Sequence, residues 1–150
     1  MVAVMAKVEG TALMELRLRP IGRVENTYCH PARPGEIRQM ESRLVMAEEF
    51  APGLDGIEEH QWLTVVFHLH LSQGYELRQH PQGDTYRPRR GVFALSSPRR
   101  PNPLGVSFVR LLHREGDILV VKGLDALNGS PILDIKPFVP PAELERRGER

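Results

Sequence analysis

The sequence predicts a mainly β protein, specifically a single-sheeted, largely antiparallel β-barrel with short loops and little helix. Three observations carry that expectation. Thirteen glycines and thirteen prolines are spread through 150 residues, so no long stretch keeps a helical period. Met14–Arg19 and Leu63–Leu71 alternate along their length, which is the period of a strand. Turn signals, with Asn128-Gly129 the strongest, separate apolar runs of strand length. Many short strands with little helix close naturally into a ring, which removes exposed sheet edges.

Taken in order, residues 1–13 read as an N-terminal extension, 14–140 as the barrel domain and 141–150 as a short charged tail. Met14, Leu16 and Leu18 share one face of the first predicted strand, and Glu15, Arg17 and Arg19 the other. Pro20 to Val24 continues extended, and Cys29 to Gly35 reads as a loop. Ile37 to Phe50 has a helical composition, but Arg43 to Met46 also suits a strand, and the neighbouring strands favour that reading. Ala51 to Gly56 is a turn and Ile57 to Gln61 one helical turn. In the strand at Leu63–Leu71, the odd-numbered residues share one face; Thr64, Val66, His68 and His70 share the other. Ser72 to Tyr86 is polar and loop-like. Val106–His113 and Asp117–Leu124 form a hairpin through Arg114-Glu-Gly116, and Ile132–Ile135 is extended after the Asn128-Gly129 turn.

Composition narrows the function. With 41% hydrophobic and 26% charged residues, the chain is that of a globular domain. A formal net charge of +1 gives no global electrostatic case for nucleic acid. Charge is uneven, however: every charged side chain from Arg87 to Arg114 is arginine or histidine, whereas Glu36 to Glu59 is mostly acidic. The lone Cys29 excludes an internal disulfide and a cysteine-based zinc site, and it fits a reducing, cytoplasmic setting. No apolar run marks a secretory signal or a membrane span.

The densest polar motif is Arg87 to Gly105. Pro98, Pro101 and Pro103 fix its backbone, so Ser96, Ser97, Arg99, Arg100 and Asn102 stand on a stiff frame suited to an anionic or polar ligand, and composition suits a solvated basic turn between two strands equally. His68 and His70 leave one face of a strand, but no third ligand shares their spacing, so they read as lining a polar pocket or simply facing water, and no metal is expected. Asp125, Asn128, Ser130, Asp134 and Lys136 cluster around the second turn; an Asp134–Lys136 pair beside a ligand suits proton transfer, and equally suits a plain ion pair. The glycine-rich nucleotide loops and the serine-hydrolase elbow are absent.

Two motifs together, Gly91-Val-Phe-Ala…Ser-Pro-x-Arg-Pro-Asn-Pro-Leu-Gly105 and Asp125-x-x-Asn-Gly-Ser-Pro-Ile-Leu-Asp-Ile-Lys-Pro-Phe138, resemble the TrmO family, also called TsaA-like or YaeB-like. Ile21-Gly-Arg-Val-Glu-Asn26 and Glu59 to His68 agree with it. The resemblance implies a barrel that binds S-adenosylmethionine near the interface of a homodimer and methylates N6 of threonylcarbamoyladenosine in tRNA. By position it implies cofactor contacts from Asn26, Pro34, Gly35, His68, Arg100, Asn102, Leu104 and the Asp125-Ala126-Leu127-Asn128 turn. It places Asp134 and Lys136 near the transferred methyl, and Arg87, Arg89, Arg90 and Arg99 against tRNA.

The chain departs from that pattern at Leu95-Ser96, where the family commonly has Thr-Arg, at Asn128-Gly-Ser130 and at Phe138. It also ends soon after Pro140, where tRNA-modifying bacterial members carry a further domain. Two other readings therefore stand beside the first: a methyltransferase with a small-molecule or protein acceptor, and a non-catalytic module that binds S-adenosylmethionine.

Overall fold

Six antiparallel strands form a closed ring. The structure, a computed structural model, describes residues 7–8, 11–12, 16–27, 29–30 and 33–142. The ring consists of β3 (Gly22–Glu25), β4 (Glu41–Met46), β5 (Trp62–His68), β8 (Leu104–Glu115), β9 (Ile118–Lys122) and β10 (Pro131–Pro137). Their order is β10-β3-β4-β9-β8-β5, and β10 pairs with both β3 and β5. Two further two-stranded sheets accompany it: β1 (Lys7–Val8) with β2 (Thr11–Ala12), and β6 (Arg78–Gln79) with β7 (Arg90–Gly91). The mainly β, antiparallel expectation stands; the single sheet is corrected to three. Among the described residues, helix is confined to α1 (Pro34–Ile37), the start of a turn at Pro141-Ala142 and four short 3-10 segments.

Period-two patterning builds the core. Leu63, Val65 and Phe67 of β5 point inward against Val24, Leu44, Val109, Leu119, Val121 and Ile132 from the other strands. The outward residues of β5 are half-buried, so the strand is read correctly, although it ends at His68 rather than Leu71. Leu71 is exposed because the chain leaves the ring after Leu69, whose N–H donates to Pro103 O.

Met14–Arg19 is a second correction. Met14 and Glu15 lie outside the described residues, and Leu16 to Arg19 pair with no strand among the described residues, where Leu16 and Leu18 are exposed. Alternation alone does not make a strand where no neighbour supplies hydrogen bonds. The ring instead begins at Gly22, where a Cβ would meet the backbone of Val45 and Met46 on β4. Ile37–Phe50 divides between the end of α1, β4 and a 3-10 segment at Glu48–Leu54. The hairpin of β8 and β9 turns through Glu115-Gly116-Asp117-Ile118, with Gly116 at φ +60°. Residues 143–150 of the expected tail lie outside the described residues.

Two insertions shape one end of the ring. Residues 69–103, between β5 and β8, form an arm stiffened by the β6–β7 ribbon. Residues 123–130, between β9 and β10, fold across the mouth, with Leu124 and Ala126 buried in the core.

Candidate functional site

Beneath the arm lies a cleft of about 840 Å³, bounded by Glu76, Gln79–Gly83, Arg87, Ala94–Arg99 and Asp125. Its floor is the mouth segment. Alternation there sends Leu124 and Ala126 into the barrel and leaves Asp125 directed outward to the cleft. The Asp125 N–H donates to Ser107 Oγ at 3.2 Å, tying the segment to β8. Asp125 is exposed to the cleft, and the partial desolvation of its carboxyl there raises its pKa.

Asn26 locks the same segment from β3. Its Nδ2 donates to Ala126 O at 2.8 Å and to Ser42 Oγ at 3.1 Å, and its backbone N–H donates to Asn128 Oδ1 at 3.0 Å. Ser130 Oγ donates to Leu127 O at 2.7 Å and lies 3.3 Å from His70 Nδ1. Gly129, at φ +84°, closes the turn with its N–H on Val24 O. Ser42, Ser107 and Ser130 are the buried polar side chains among the described residues, and all three serve this segment.

The proline loop forms the opposite wall. Arg100 Nη1 donates to Leu95 O at 3.0 Å and Ser97 O at 3.1 Å, so this guanidinium braces its own loop. Gln79 Nε2 donates to Glu76 O and Arg99 O, each at 2.6 Å, and Ser97 Oγ donates to Gln79 Oε1. Arg99 pairs with Glu76 at 3.1 Å. Arg87 reaches the cleft, while Arg89 and Arg90 stand exposed on the arm. Glu76, Gln79, His80, Ser42 and Ser107 are the contributors that the sequence reading misses. Nothing in the aperiodic Ser72–Tyr86 stretch marks the first three.

The remaining candidates lie elsewhere. Pro34 and Gly35 open α1, and Gly35 does not line the cleft. His68 and Leu104 are register partners at the ends of β5 and β8, on the outer face of the ring. Asn102 is exposed, and its carbonyl accepts the Leu104 N–H at 2.7 Å. Asp134 and Lys136 are also outward, on β10, and form an ion pair at 3.0 Å. Following the register across β5, Asp134 lies in line with Val66 and Val106, and Lys136 with Thr64 and Phe108. This face therefore joins His68, Leu104, Asp134 and Lys136 to an exposed apolar stripe, with Val106 at 57% and Phe108 at 55% exposure. Among the described residues no group of three His, Cys, Asp or Glu is placed to hold a metal, and no helix is long and apolar enough to cross a membrane.

Residues 23–144 match the family described as tRNA-methyltransferase O N-terminal domain. The chain belongs to this family. A Methanothermobacter thermautotrophicus member named probable S-adenosyl-L-methionine-binding protein is 41% identical over 83% of this chain and 91% of its own length. The Escherichia coli tRNA (adenine(37)-N6)-methyltransferase is 35% identical over 77% of this chain, which spans 53% of that enzyme. The crystal structure of TrmO from Pseudomonas aeruginosa superposes with a TM-score of 0.69 at 30% identity, covering 87% of this chain and 59% of that one. Within the TrmO family frame, the Asn26-locked turn and the arginine-braced proline loop are the two polar motifs of the sequence, brought to one end of one barrel.

Proposed function

We propose that residues 14–140 of this chain act as an S-adenosylmethionine-dependent methyltransferase on N6 of adenosine in tRNA, with threonylcarbamoyladenosine 37 as the acceptor. The observation that carries this reading is Asp125, an exposed carboxylate on a locked turn, facing a cleft walled by the proline loop. The relatives named above, some for binding S-adenosylmethionine and some for tRNA (adenine(37)-N6) methylation, support it.

The cleft's chemistry fits the cofactor. A sulfonium is matched by carboxylates at Asp125 and Glu76, and an amino-acid carboxylate by Arg87; Ala126, Leu127 and Asn128 do not line the cleft. When bound, the cofactor supplies a methyl group that is already electrophilic. The protein's share is alignment, worth about 7–11 kcal/mol of a bimolecular barrier, and removal of one proton. Asn26 and Arg100 set alignment by fixing the turn and the loop. Asp134 is the proposed acceptor of the N6 proton; Lys136 Nζ at 3.0 Å and the Ile135 N–H at 2.9 Å orient its carboxylate.

A homodimer completes this reading. The stripe of Leu104, Val106 and Phe108 is a row of apolar side chains on one strand, which a second copy of the chain covers. Pairing there brings His68, Asp134 and Lys136 to the seam between subunits, in keeping with a cofactor shared near that seam. Arg78, Arg89 and Arg90 have no ion-pair partner among the described residues and supply phosphate contacts from the arm. A tRNA substrate also implies a cytoplasmic location.

Incubation with methyl-labelled cofactor and bulk tRNA is the direct trial: label on N6 of adenosine is expected, at low salt first. Tight cofactor binding with no transfer to tRNA would instead select the module that only binds S-adenosylmethionine. The departure at Leu95-Ser96, in the cleft wall, favours that second reading.

A further inference from the structure

We propose that the outer wall of the barrel carries an RNA-contact site separate from the cleft: a recess that takes a backbone phosphate with a neighbouring base stacked on Trp62. The recess is about 460 Å³, walled by Trp62, Phe108, Arg38, Arg110 and Lys122, with Gln39 at its edge. Strand register builds it. Trp62 on β5 lies opposite Arg110 on β8, and Arg110 lies opposite Lys122 on β9, so the three form one row across the sheet. Phe108, two residues before Arg110, projects from the same face, its ring stacked on Phe138 at 4.3 Å and 24°. Arg38 enters from the turn after α1.

Cations gathered beside an indole face are what point to a ligand. Arg23, Arg43, Arg99 and Arg114 each have a carboxylate within 4.0 Å, whereas Arg78, Arg87, Arg89 and Arg90 of the arm have none among the described residues. Among the described residues, Arg38, Arg110 and Lys122 have none, and Glu41, opposite Lys122 on β4, makes no ion pair with it. Three cations gathered in a concavity repel one another unless an anion joins them. The indole face of Trp62 beside them adds a requirement for a planar group, and a nucleotide meets both. The recess shares no wall residue with the cleft, yet Gly123 lines the one and Asp125 the other. A single strand of RNA passing over that three-residue segment reaches both. The apolar stripe of β8 stops at Phe108, where the surface turns basic at Arg110.

This site rests on the tRNA reading above, and one experiment separates the two. Trp62 is the sole tryptophan of the chain, so its fluorescence reports on the recess directly. The full chain is titrated with a single-stranded oligoribonucleotide, with tRNA and with adenosine monophosphate, alongside methyl transfer to tRNA. Saturable quenching by both RNAs is expected, weakened about tenfold or more in the Arg38→Ala/Arg110→Ala chain. The log–log salt slope in that chain should fall by about 0.7 for each phosphate that is no longer neutralised, with unchanged thermal melting as the folding control. Tighter quenching by the mononucleotide than by RNA would overturn the RNA assignment. Normal tRNA methylation with quenching and tRNA KM untouched by the two substitutions would overturn the site while leaving the function standing. RNA quenching without any methyl transfer would do the reverse.

Discussion

The backbone N–H of Asn26 donates to Asn128 Oδ1 at 3.0 Å, joining residues 102 positions apart. With the two bonds from Asn26 Nδ2, this clamps the mouth segment to β3 and aims Asp125 at the cleft. Asn26→Ala removes the Nδ2 donor and leaves the buried Ser42 hydroxyl and the Ala126 carbonyl short of a partner. A loss of about 1–3 kcal/mol in unfolding free energy is expected, together with weaker cofactor binding by calorimetry. Loss of stability with unchanged affinity would show that the turn needs no clamp to bind.

Gly105 makes a different demand. It closes the proline motif in sequence, which suggests a turn, but in the fold it is a strand residue opposite Phe67, and a Cβ there would run into the Phe67 ring inside the barrel. Gly105→Ala should destabilise by about 1–3 kcal/mol through overpacking, read as a lower Tm. Gly91→Ala, where a Cβ meets nothing within 4 Å, should leave Tm nearly unchanged. Equal effects at the two positions would mean that Phe67 yields freely.

These two residues show what the sequence reveals and what it hides. Strands with a partner on each side, such as β5 and the β8–β9 hairpin, announce themselves because burial on one face imposes period two. Leu16 and Leu18 carry the same pattern without a partner, and the pattern misleads. The turn at Asn128-Gly129 and the stiff proline loop are legible because their backbone chemistry is local. The third wall is not. Glu76 and Gln79 hold the loop through bonds spanning about 20 positions, and a polar stretch without periodicity gives no sign of them. Arg100, read from its motif as a ligand group, spends its guanidinium on the carbonyls of Leu95 and Ser97.

Asp125 predicts a pH signature. Its folded pKa is raised by desolvation above the ordinary aspartate value of 3.8, so ionising it in the fold opposes stability. The cost is absent below that ordinary value and develops as pH rises through the folded pKa. Asp125→Asn should therefore raise Tm at neutral pH and leave it unchanged in acid below pH 3.8. The same substitution should weaken binding of the cationic cofactor. Opposite signs for stability and affinity mark a carboxylate kept for its ligand; a fall in both would make it a structural group.

The arm separates phosphate contact from bracing. Arg89→Ala and Arg90→Ala should each weaken tRNA binding evenly across sequences and reduce the salt slope by about 1. Arg99→Ala should also loosen the proline loop, because Arg99 is tied to Glu76 at 3.1 Å, and so should reduce cofactor affinity as well. Titrations of tRNA at several salt concentrations, beside calorimetry with the cofactor, distinguish the two patterns. Identical behaviour of all three arginines would remove the distinction.

Asp134 and Lys136 decide where proton removal occurs. As a pair 48% and 67% exposed on the outer wall, they contribute no more than about 1 kcal/mol to stability. Asp134→Asn and Lys136→Ala should thus melt close to the parent chain. If Asp134 takes the N6 proton, kcat should fall about 100-fold or more in Asp134→Asn while the cofactor KM stays level. Because this pair shares its face with the exposed stripe of β8, Val106→Asp should separate the subunits by light scattering and lower kcat in the same proportion. A monomer with full activity, or an active Asp134→Asn chain, would move proton removal to the cleft, where Asp125 is the remaining carboxylate on the locked turn.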